Sequence, residues 1–261
     1  MINFNRVWAM VYRYTLDLIH RYDRLTDMFY WPFLDLVLWG LTGLFFIQSS
    51  NNPHTLTIMI TGLIFWLVVW RAQYEITVNL LTEIWDKNIV NIFVSPLTLW
   101  EWIISLMICG LTRTILSVTF SGVAAFLLYQ YNIFVYGLWL IPIVLSLMLT
   151  GWAAGFLVSG LLIKYGVKLQ TLAWTGVAML APFTAPYFPV SILPDWAQKI
   201  SIFIPATYIF EGMRNLLQSG NFPLDKLIMS FSLNIFYLII SISVFIFMFN
   251  KSRGAGLGRL I

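Results

Sequence analysis

The sequence predicts an all-α membrane protein, and its composition and the length of its apolar runs support this fold class. Apolar residues make up 60% of the 261 residues and charged residues only 10%, whereas about 25% of an average soluble domain is charged. A helix needs about 20 apolar residues to cross a hydrocarbon core of about 30 Å. These runs are continuous rather than alternating, which favours membrane-spanning helices over strands. The stretches without Asp, Glu, Lys or Arg are 36–70, 114–163, 169–194 and 227–250.

Six transmembrane helices are the expected layout. Pro142 lies inside the long fourth run and predicts a kink or a tilt there, because proline removes a helical hydrogen bond. We see no soluble linker and no internal repeat, so we expect a single domain over residues 1–261. The expected spans lie at about 31–47, 55–72, 102–128, 135–163, 169–189 and 227–249.

The distribution of Lys and Arg predicts the orientation, since short cytoplasmic loops are enriched in both. Eleven of them fall on the side that carries the two termini, three fall on the other side, and Arg113 lies within a span. We therefore expect a multi-pass protein of the plasma membrane with both termini in the cytoplasm. The net charge of +4 then needs no nucleic-acid partner. The eleven are Arg6, Arg13, Arg21, Arg24, Arg71, Lys87, Lys164, Lys168, Lys251, Arg253 and Arg259, and the three are Lys199, Arg214 and Lys226.

Residues 2–25 predict an amphipathic helix that lies along the membrane surface. Apolar residues recur there at three- and four-residue steps, and charged residues share the other face. Charges recur through Asp27, so we expect no cleavable signal sequence. The helix could be a simple anchor or a platform for a cytoplasmic partner. The charged residues that share this face are Arg6, Arg13, Asp17, Arg21 and Arg24, of which Asp17 and Arg21 are spaced to form an ion pair.

A short charged segment separates the second and third expected spans. Glu83, Asp86 and Lys87 are spaced at i, i+3 and i+4, which puts them on one side of a helical turn, while Ile84 and Trp85 point elsewhere. Pro96 ends the run because it lacks a backbone donor. Such a segment is either a solvated connector or a docking surface for a soluble partner.

Prolines and alternating charges mark a second irregular segment over 182–217. Pro182, Pro186, Pro189 and Pro194 interrupt helical hydrogen bonding at its start. Charged and apolar residues then alternate over 195–217, which favours two short half-buried helices over another span. Glu211 and Arg214 are three residues apart and can pair, which lowers the cost of placing both charges near lipid.

Arg113 is a basic residue well inside an expected span. It lies eleven residues after Trp102, which at about 1.5 Å per residue places it near the middle of the membrane. An arginine there costs at least about 2.5–3.5 kcal/mol, so it needs a partner or a wet cavity. Asp35, Glu75 and backbone carbonyls are the candidate partners, and we favour a structural or path-lining role over direct substrate recognition.

Small and aromatic residues in the spans allow two interpretations each. Gly151, Gly155 and Ser159 recur at four-residue steps, which favours close packing within the chain over a seam between copies. Tryptophans near the span ends favour interfacial belts, although aromatic faces can also line a path for sugars or amphiphiles. These tryptophans are Trp31, Trp39, Trp66, Trp70, Trp100 and Trp102.

No pattern in the chain predicts catalytic or metal chemistry. Cys109 is the sole cysteine and lies in an apolar span, and His20 and His54 are far apart without other ligands at metal-binding spacing. The sequence has no P-loop, no nucleophile elbow and no His-Glu-x-x-His pair. We expect no catalytic residue, no metal site and no cofactor in this chain.

The order of these parts resembles the permease subunit of type-2 ATP-binding-cassette exporters. In that family an amphipathic interface helix precedes six spans, and a coupling helix after the second span begins near a Glu and ends near a Ser-Pro, here Glu83 and Ser95-Pro96. The resemblance implies an interface helix over 1–28 and a coupling helix over 83–95. The implied contacts with the ATPase are Glu83, Ile84, Trp85, Asp86 and Lys87.

A second part of the resemblance lies after the fifth expected span. The family has an extracellular re-entrant hairpin with a Leu-Pro, a Pro-x-x-Tyr and a closing Glu-x-x-Arg, which match Leu193-Pro194, Pro205–Tyr208 and Glu211–Arg214. The resemblance therefore implies a hairpin over 182–217 in which Pro189, Pro194, Pro205, Glu211 and Arg214 take part. It also implies a separate ATPase subunit that binds ATP and Mg, and a second permease subunit, with a homodimer expected.

One short segment bears on the substrate class. The segment Lys164-Tyr165-Gly166-Val167-Lys168 stands where polysaccharide permeases of the family carry an Arg-Asp motif, which favours a hydrophobic or amphipathic substrate such as a drug, lipid or glycolipid. The alternatives are a polysaccharide or glycan permease, a membrane-embedded lipid-modifying enzyme and an ion-coupled transporter. The enzyme would need a converging polar cluster, and the ion-coupled transporter would need paired acids inside spans.

Overall fold

The computed structural model describes residues 2–50 and 54–254, with side chains for 2–46 and 56–254. All regular structure in these ranges is helical. A 3₁₀ helix, Ile133–Trp139, leads directly into α6. The α-helices are α1 (Phe4–His20), α2 (Tyr22–Ser50), α3 (His54–Trp85), α4 (Ile89–Val94), α5 (Leu99–Tyr129), α6 (Leu140–Tyr165), α7 (Leu172–Thr175), α8 (Ala181–Thr184), α9 (Asp195–Ser201), α10 (Pro205–Ser219) and α11 (Leu224–Gly254).

Five helical stretches of the described chain are long and apolar enough to cross a membrane. They correspond to five of the six predicted spans, and each is longer than the span predicted. They are Tyr22–Phe46, Leu56–Trp85, Leu99–Tyr129, Ile133–Leu169 and Leu224–Gly254. The predicted span over 169–189 is not among them.

A series of short helical turns occupies the place of that span. Between Gly166 and Thr184 the backbone forms two 3₁₀ turns together with α7 and α8, and none of these is longer than four residues. Ala185 then adopts a left-handed conformation at φ 50°. Pro182, Pro186 and Pro189 each remove a backbone donor at the outer end of this region, which disfavours regular helical hydrogen bonding there. The irregularity predicted for the outer end of this span extends over its whole length.

The bundle is built around α3, the most deeply buried of the five long helices. This helix packs against α2, α5 and α6, and α7 covers part of it. The long helix α11 packs on α6 from the other side and also contacts α10. Because α3 has neighbours on all sides, its polar residues must find partners inside the protein, and these partners form much of the site described below.

Two glycines of α6 allow this helix to approach α3 closely. A methyl group added at Gly151 would lie 2.6 Å from Ala72 Cβ, and one added at Gly155 would lie 3.1 Å from Ile76 Cβ. These distances show that the predicted small-residue ladder serves packing within the chain.

Replacing Gly151 with alanine is expected to destabilise the protein by about 1–3 kcal/mol, because a well-packed core does not accommodate the extra carbon without shifting α3. Gly122→Ala is the matched control, since its added methyl group would meet only Ile133 Cγ2 at 3.5 Å. Unfolding in mixed detergent micelles measures both, and equal stabilities for the two variants would contradict the close α3–α6 packing.

Candidate functional site

Helix α1 lies on the bundle through the apolar stripe predicted from its sequence. The side chain of Asn3 accepts a hydrogen bond from the backbone N–H of Asn5 and caps the helix. The helix ends at His20, because Arg21 is extended at φ −103° and ψ 94°. The predicted interface segment 1–28 is therefore divided at Arg21, and its second part belongs to α2. The buried residues of α1 are Val7, Val11, Tyr14 and Leu18.

The charged segment after α3 is also divided. Helix α3 continues to Trp85, and α4 begins only at Ile89. Lys87 adopts a left-handed backbone conformation at φ 55°, which breaks the helix between them. The predicted single helix over 83–95 is thus the end of α3, a turn and the short α4. The predicted stop at Pro96 is confirmed, since α4 ends at Val94.

We call α1 with Arg21, together with residues 83–101, the charged junction, because ion pairs connect the two segments. A glutamate of the junction also accepts two backbone hydrogen bonds, since Glu101 receives the N–H of Asn3 at 2.8 Å and that of Thr98 at 2.8 Å. These contacts fasten α1 to the connection between α3, α4 and α5. The ion pairs are Arg13–Glu83 at 2.8 Å, Arg21–Asp86 at 2.6 Å and Arg6–Glu101 at 3.7 Å.

Burial separates the residues of the junction into two groups. Glu83 is 2% exposed, and it also accepts a hydrogen bond from the side-chain amide of Asn88 at 2.8 Å. Ile84 is equally buried. Trp85, Asp86 and Lys87 are exposed. Within the predicted coupling set, Glu83 and Ile84 therefore hold the turn in place, and the exposed residues 85–87 are the ones that a soluble partner can reach.

Arg113 belongs to a buried charge cluster that we define as Arg71, Glu75 and Arg113. Arg113 Nη1 is 2.5 Å from Glu75 Oε2, and Arg71 Nε is 3.5 Å from Glu75 Oε1. Arg113 Nη2 donates to the backbone carbonyl of Tyr14 at 2.5 Å. Glu75, one of the predicted partners, is thus the counter-ion of Arg113, and the arginine links α5 to both α3 and α1.

Arg24 joins the same region and was not predicted to do so. It was placed on the polar outer face, yet it is buried and lies 3.1 Å from Asp17. Arg24 Nη1 also donates to Asn79 Oδ1 at 3.0 Å, and Nη2 contacts the hydroxyl of Thr82. A sequence signal existed, because Arg71, Glu75, Asn79 and Glu83 recur every four residues and form a polar stripe along α3.

The second predicted site lies around α9 and α10, at residues 182–217. The two short helices expected there are present, one beginning after Pro194 and the other at Pro205. The carbonyl of Pro205 accepts a hydrogen bond from Ser230 at 2.8 Å, which fastens α10 to α11. Pro189 precedes a 3₁₀ turn over Val190–Ile192.

Glu211 and Arg214 fasten the irregular backbone to α10. Their side chains are 2.6 Å apart, as the spacing predicted. Glu211 also accepts the N–H of Val190 at 3.0 Å, and Arg214 donates to the carbonyl of Ala185 at 2.9 Å. The pair therefore holds both ends of segment 185–190, which has little regular structure of its own.

This arrangement predicts acid sensitivity. Burial raises the pKa of Glu211, but the hydrogen bond from Val190 and the charge of Arg214 outweigh it and leave the pKa below its ordinary value. A lowered pKa means that the carboxylate stabilises the fold above its ordinary pKa of about 4.3, and that this contribution is lost as the pH falls through the lower folded value.

The amide protection factors over 185–190, which are corrected for the intrinsic slowing of exchange in acid, should therefore fall as the pH drops below about 4.3. Glu211→Gln should show low protection factors already at neutral pH and little further change in acid. Equal pH dependence in the wild type and this variant would contradict the role of Glu211.

No group of three or more His, Cys, Asp or Glu residues in the described chain is placed to hold a metal ion. His54 lies outside the residues whose side chains are described.

A family model described as ABC-2 type transporter matches residues 6–217. The chain belongs to the ABC-2 type transporter family. No curated protein matches the chain.

The family match covers both sites of this ABC-2 chain. Residues 6–217 contain the charged junction, the buried charge cluster and the segment around α9 and α10, whereas α11 follows the matched range. The chain is therefore a multi-pass membrane protein of a transporter family, in which the membrane domain does not itself carry out the energy-yielding chemistry.

Proposed function

We propose that the chain is the permease subunit of an ATP-driven exporter that moves a hydrophobic or amphipathic substrate out of the cytoplasm. A separate ATPase subunit binds ATP and Mg and supplies the energy. Two permease copies form the path, and both termini lie in the cytoplasm. The observation that carries the proposal is the charged junction, in which an exposed turn at 85–87 is fastened to α1 and to the bundle core.

The exposed turn has the composition of a docking surface. It presents an aromatic ring at Trp85 and a charge of each sign at Asp86 and Lys87, and Val94 of α4 is 81% exposed beside it. Trp residues are enriched among those that dominate binding energy at interfaces. An exposed indole next to charged groups supports a soluble partner at this end of the bundle.

Helix α3 provides a route for force from this turn into the membrane. It runs without interruption over 32 residues, which is about 48 Å. Since Glu83 is ion-paired to α1 and Glu75 to α5, displacement of the turn would move three helices together. Closure of the ATPase could in this way shift the permease between two packings, provided that the ATPase binds one of them more tightly.

The rest of the membrane layout follows from the placement of both termini in the cytoplasm. Helix α1 carries a second apolar row, Phe4, Trp8, Tyr12 and Ile19, that is exposed in the single chain and suits the membrane surface. The segment 182–217 lies in the outer leaflet as a re-entrant hairpin, and the short turns over 166–184 complete a sixth, broken crossing. Membrane lipids cover the apolar flanks of the long helices.

Purification of the tagged chain from its native membranes in mild detergent tests the proposal. We expect an ATPase subunit to co-purify in a fixed ratio and to bring Mg-dependent ATP hydrolysis with it, and we expect no hydrolysis by the chain alone. Transport by the isolated chain on a proton gradient, or chemical turnover of a substrate without any ATPase, would contradict it.

A further inference from the structure

An open cleft of about 370 Å³ lies between α2, α3 and the short helix α7. We call it the aromatic cleft, because four tryptophans and one tyrosine line it. Its volume falls within the range of small-ligand sites, about 300–1,000 Å³. The residues that matter for its chemistry are Asp27, Asp35, Trp31, Trp66, Trp70 and Trp174.

Two sequence stripes face each other across the cleft. Asp27, Trp31 and Asp35 are four residues apart on α2, and Trp66 and Trp70 have the same spacing on α3. Residues at four-residue steps share one face of a helix, so one wall carries two carboxylates about 12 Å apart with an indole between them. The opposite wall is aromatic.

The two carboxylates have different surroundings. Asp27 accepts hydrogen bonds from the indole N–H of Trp31 and the hydroxyl of Tyr74, both at 3.2 Å. Asp35 is exposed to the cleft and forms no ion pair or hydrogen bond with any described residue. It lies about 6 Å inside the span expected over 31–47 and directly before the charge-free stretch 36–70. An unpaired carboxylate within a span is costly and calls for a cationic partner.

The rings favour the same partner. Aromatic faces attract cations through their quadrupole, most strongly for indole. One cation already uses part of this wall, since the Arg71 guanidinium lies 5.1 Å from the ring centre of Tyr74 and 6.0 Å from that of Trp70. The rings of Trp31, Trp66 and Trp174 have no lysine or arginine over them among the described residues.

We infer that the aromatic cleft binds an amphipathic organic cation, with its charge beside Asp35 and its apolar body against the tryptophans. This inference rests on the proposed export function and narrows its substrate class. Two carboxylates disfavour the anionic head of an acidic lipid. The large aromatic wall surrounding a single unpaired carboxylate matches a ligand with one delocalised positive charge and a bulky apolar body.

Equilibrium dialysis of the chain in lipid nanodiscs tests this inference with tetraphenylphosphonium as the probe. Tetraphenylborate is the size-matched anion, and empty nanodiscs correct for partition into lipid. We expect saturable binding of the cation alone, weakened about tenfold by Asp35→Asn and about threefold by Trp31→Leu. Asp35→Glu should retain binding. Asp23→Asn is the matched control, because Asp23 is exposed on the same helix outside the cleft and should leave binding unchanged.

Three results would overturn the inference. The first is equal binding of the cation and the anion, and the second is binding unaffected by Asp35→Asn. The third is a dimeric wild type with a monomeric Asp35→Asn variant, which would show that the cleft is an interface between two copies. Loss of fold is not expected, since removing an unpaired charge from a span eases insertion. The dialysis uses no ATPase, so its result does not depend on transport. Selective binding by a chain that shows no ATP-driven transport would reject the proposed export function and leave the proposed binding site in place. ATP-driven transport without selective binding would reject only the binding site.

Discussion

Replacing Glu75 with glutamine should lower the free energy of unfolding by about 3–5 kcal/mol. The carboxylate lies between Arg113 and Arg71, and all three side chains are at least 95% buried. Its removal leaves two guanidinium groups in a low-dielectric interior without a counter-ion, and loss of one partner from a buried ionic group costs more than the pair contributes. Unfolding of the chain in mixed micelles with increasing denaturing detergent gives the measurement.

The order of stability among related variants tests the same cluster a second time. Arg113→Leu should destabilise less than Glu75→Gln, because Glu75 keeps Arg71 beside it, and the double variant should be more stable than Glu75→Gln alone. Asp23→Asn, an exposed neutralisation in α2, should change stability by less than about 0.5 kcal/mol. A Glu75→Gln protein as stable as the wild type would show that the cluster is not a structural centre of the bundle.

Replacing Trp85 with alanine should weaken the affinity of the permease for its ATPase by about 30-fold or more. The indole is 44% exposed at the tip of the charged junction, and truncation of a central interface tryptophan commonly costs 2 kcal/mol or more. Titration of the ATPase onto the permease in nanodiscs measures this loss. ATP-dependent transport should fall in parallel, while the thermal stability of the permease should fall only slightly through loss of the ring contact with Trp174.

A second tryptophan supplies the control for that experiment. Trp196 is 62% exposed in α9, in the segment proposed to face the outside. Trp196→Ala should leave the affinity for the ATPase unchanged. Equal losses for both variants, or no loss for either, would remove residues 85–87 from the proposed interface. Glu83 is unsuitable for this purpose, because reversal of a buried, ion-paired carboxylate would disturb the fold as well as the contact.

The spacing of apolar residues and the length of apolar runs predicted most of the fold, because both depend only on residues that are close together in the chain. The stripe from Val7 to Leu18 and the pairs Asp17–Arg21 and Glu211–Arg214 depend only on helical spacing, and all are present. The span predicted over 169–189 has the required apolar composition, but apolar length cannot show that prolines and tertiary contacts divide such a run into turns.

The contacts around Glu83 and Arg24 were harder to predict from the sequence, because burial there depends on which helices pack against each other. Spacing put Glu83 on the same side as Asp86 and Lys87, yet Glu83 turns inward to Arg13. Arg24 looked like a residue of the polar outer face, but it reaches across to Asn79 on another helix. Such partners are separated by 55–70 residues in the chain, and no local pattern encodes which of several charges will meet.

Site-specific cross-linking tests the central claim most directly. Cys109 is the sole cysteine of the sequence and is buried, so Cys109→Ser gives a background into which a cysteine can be placed at position 87 or at position 196. In the complex purified from native membranes, a short bifunctional reagent should join position 87 to the ATPase subunit and leave position 196 unlinked. Linkage of the ATPase at position 196 but not at 87, or a complex in which no ATPase is recovered, would contradict the claim that the charged junction receives the energy for transport.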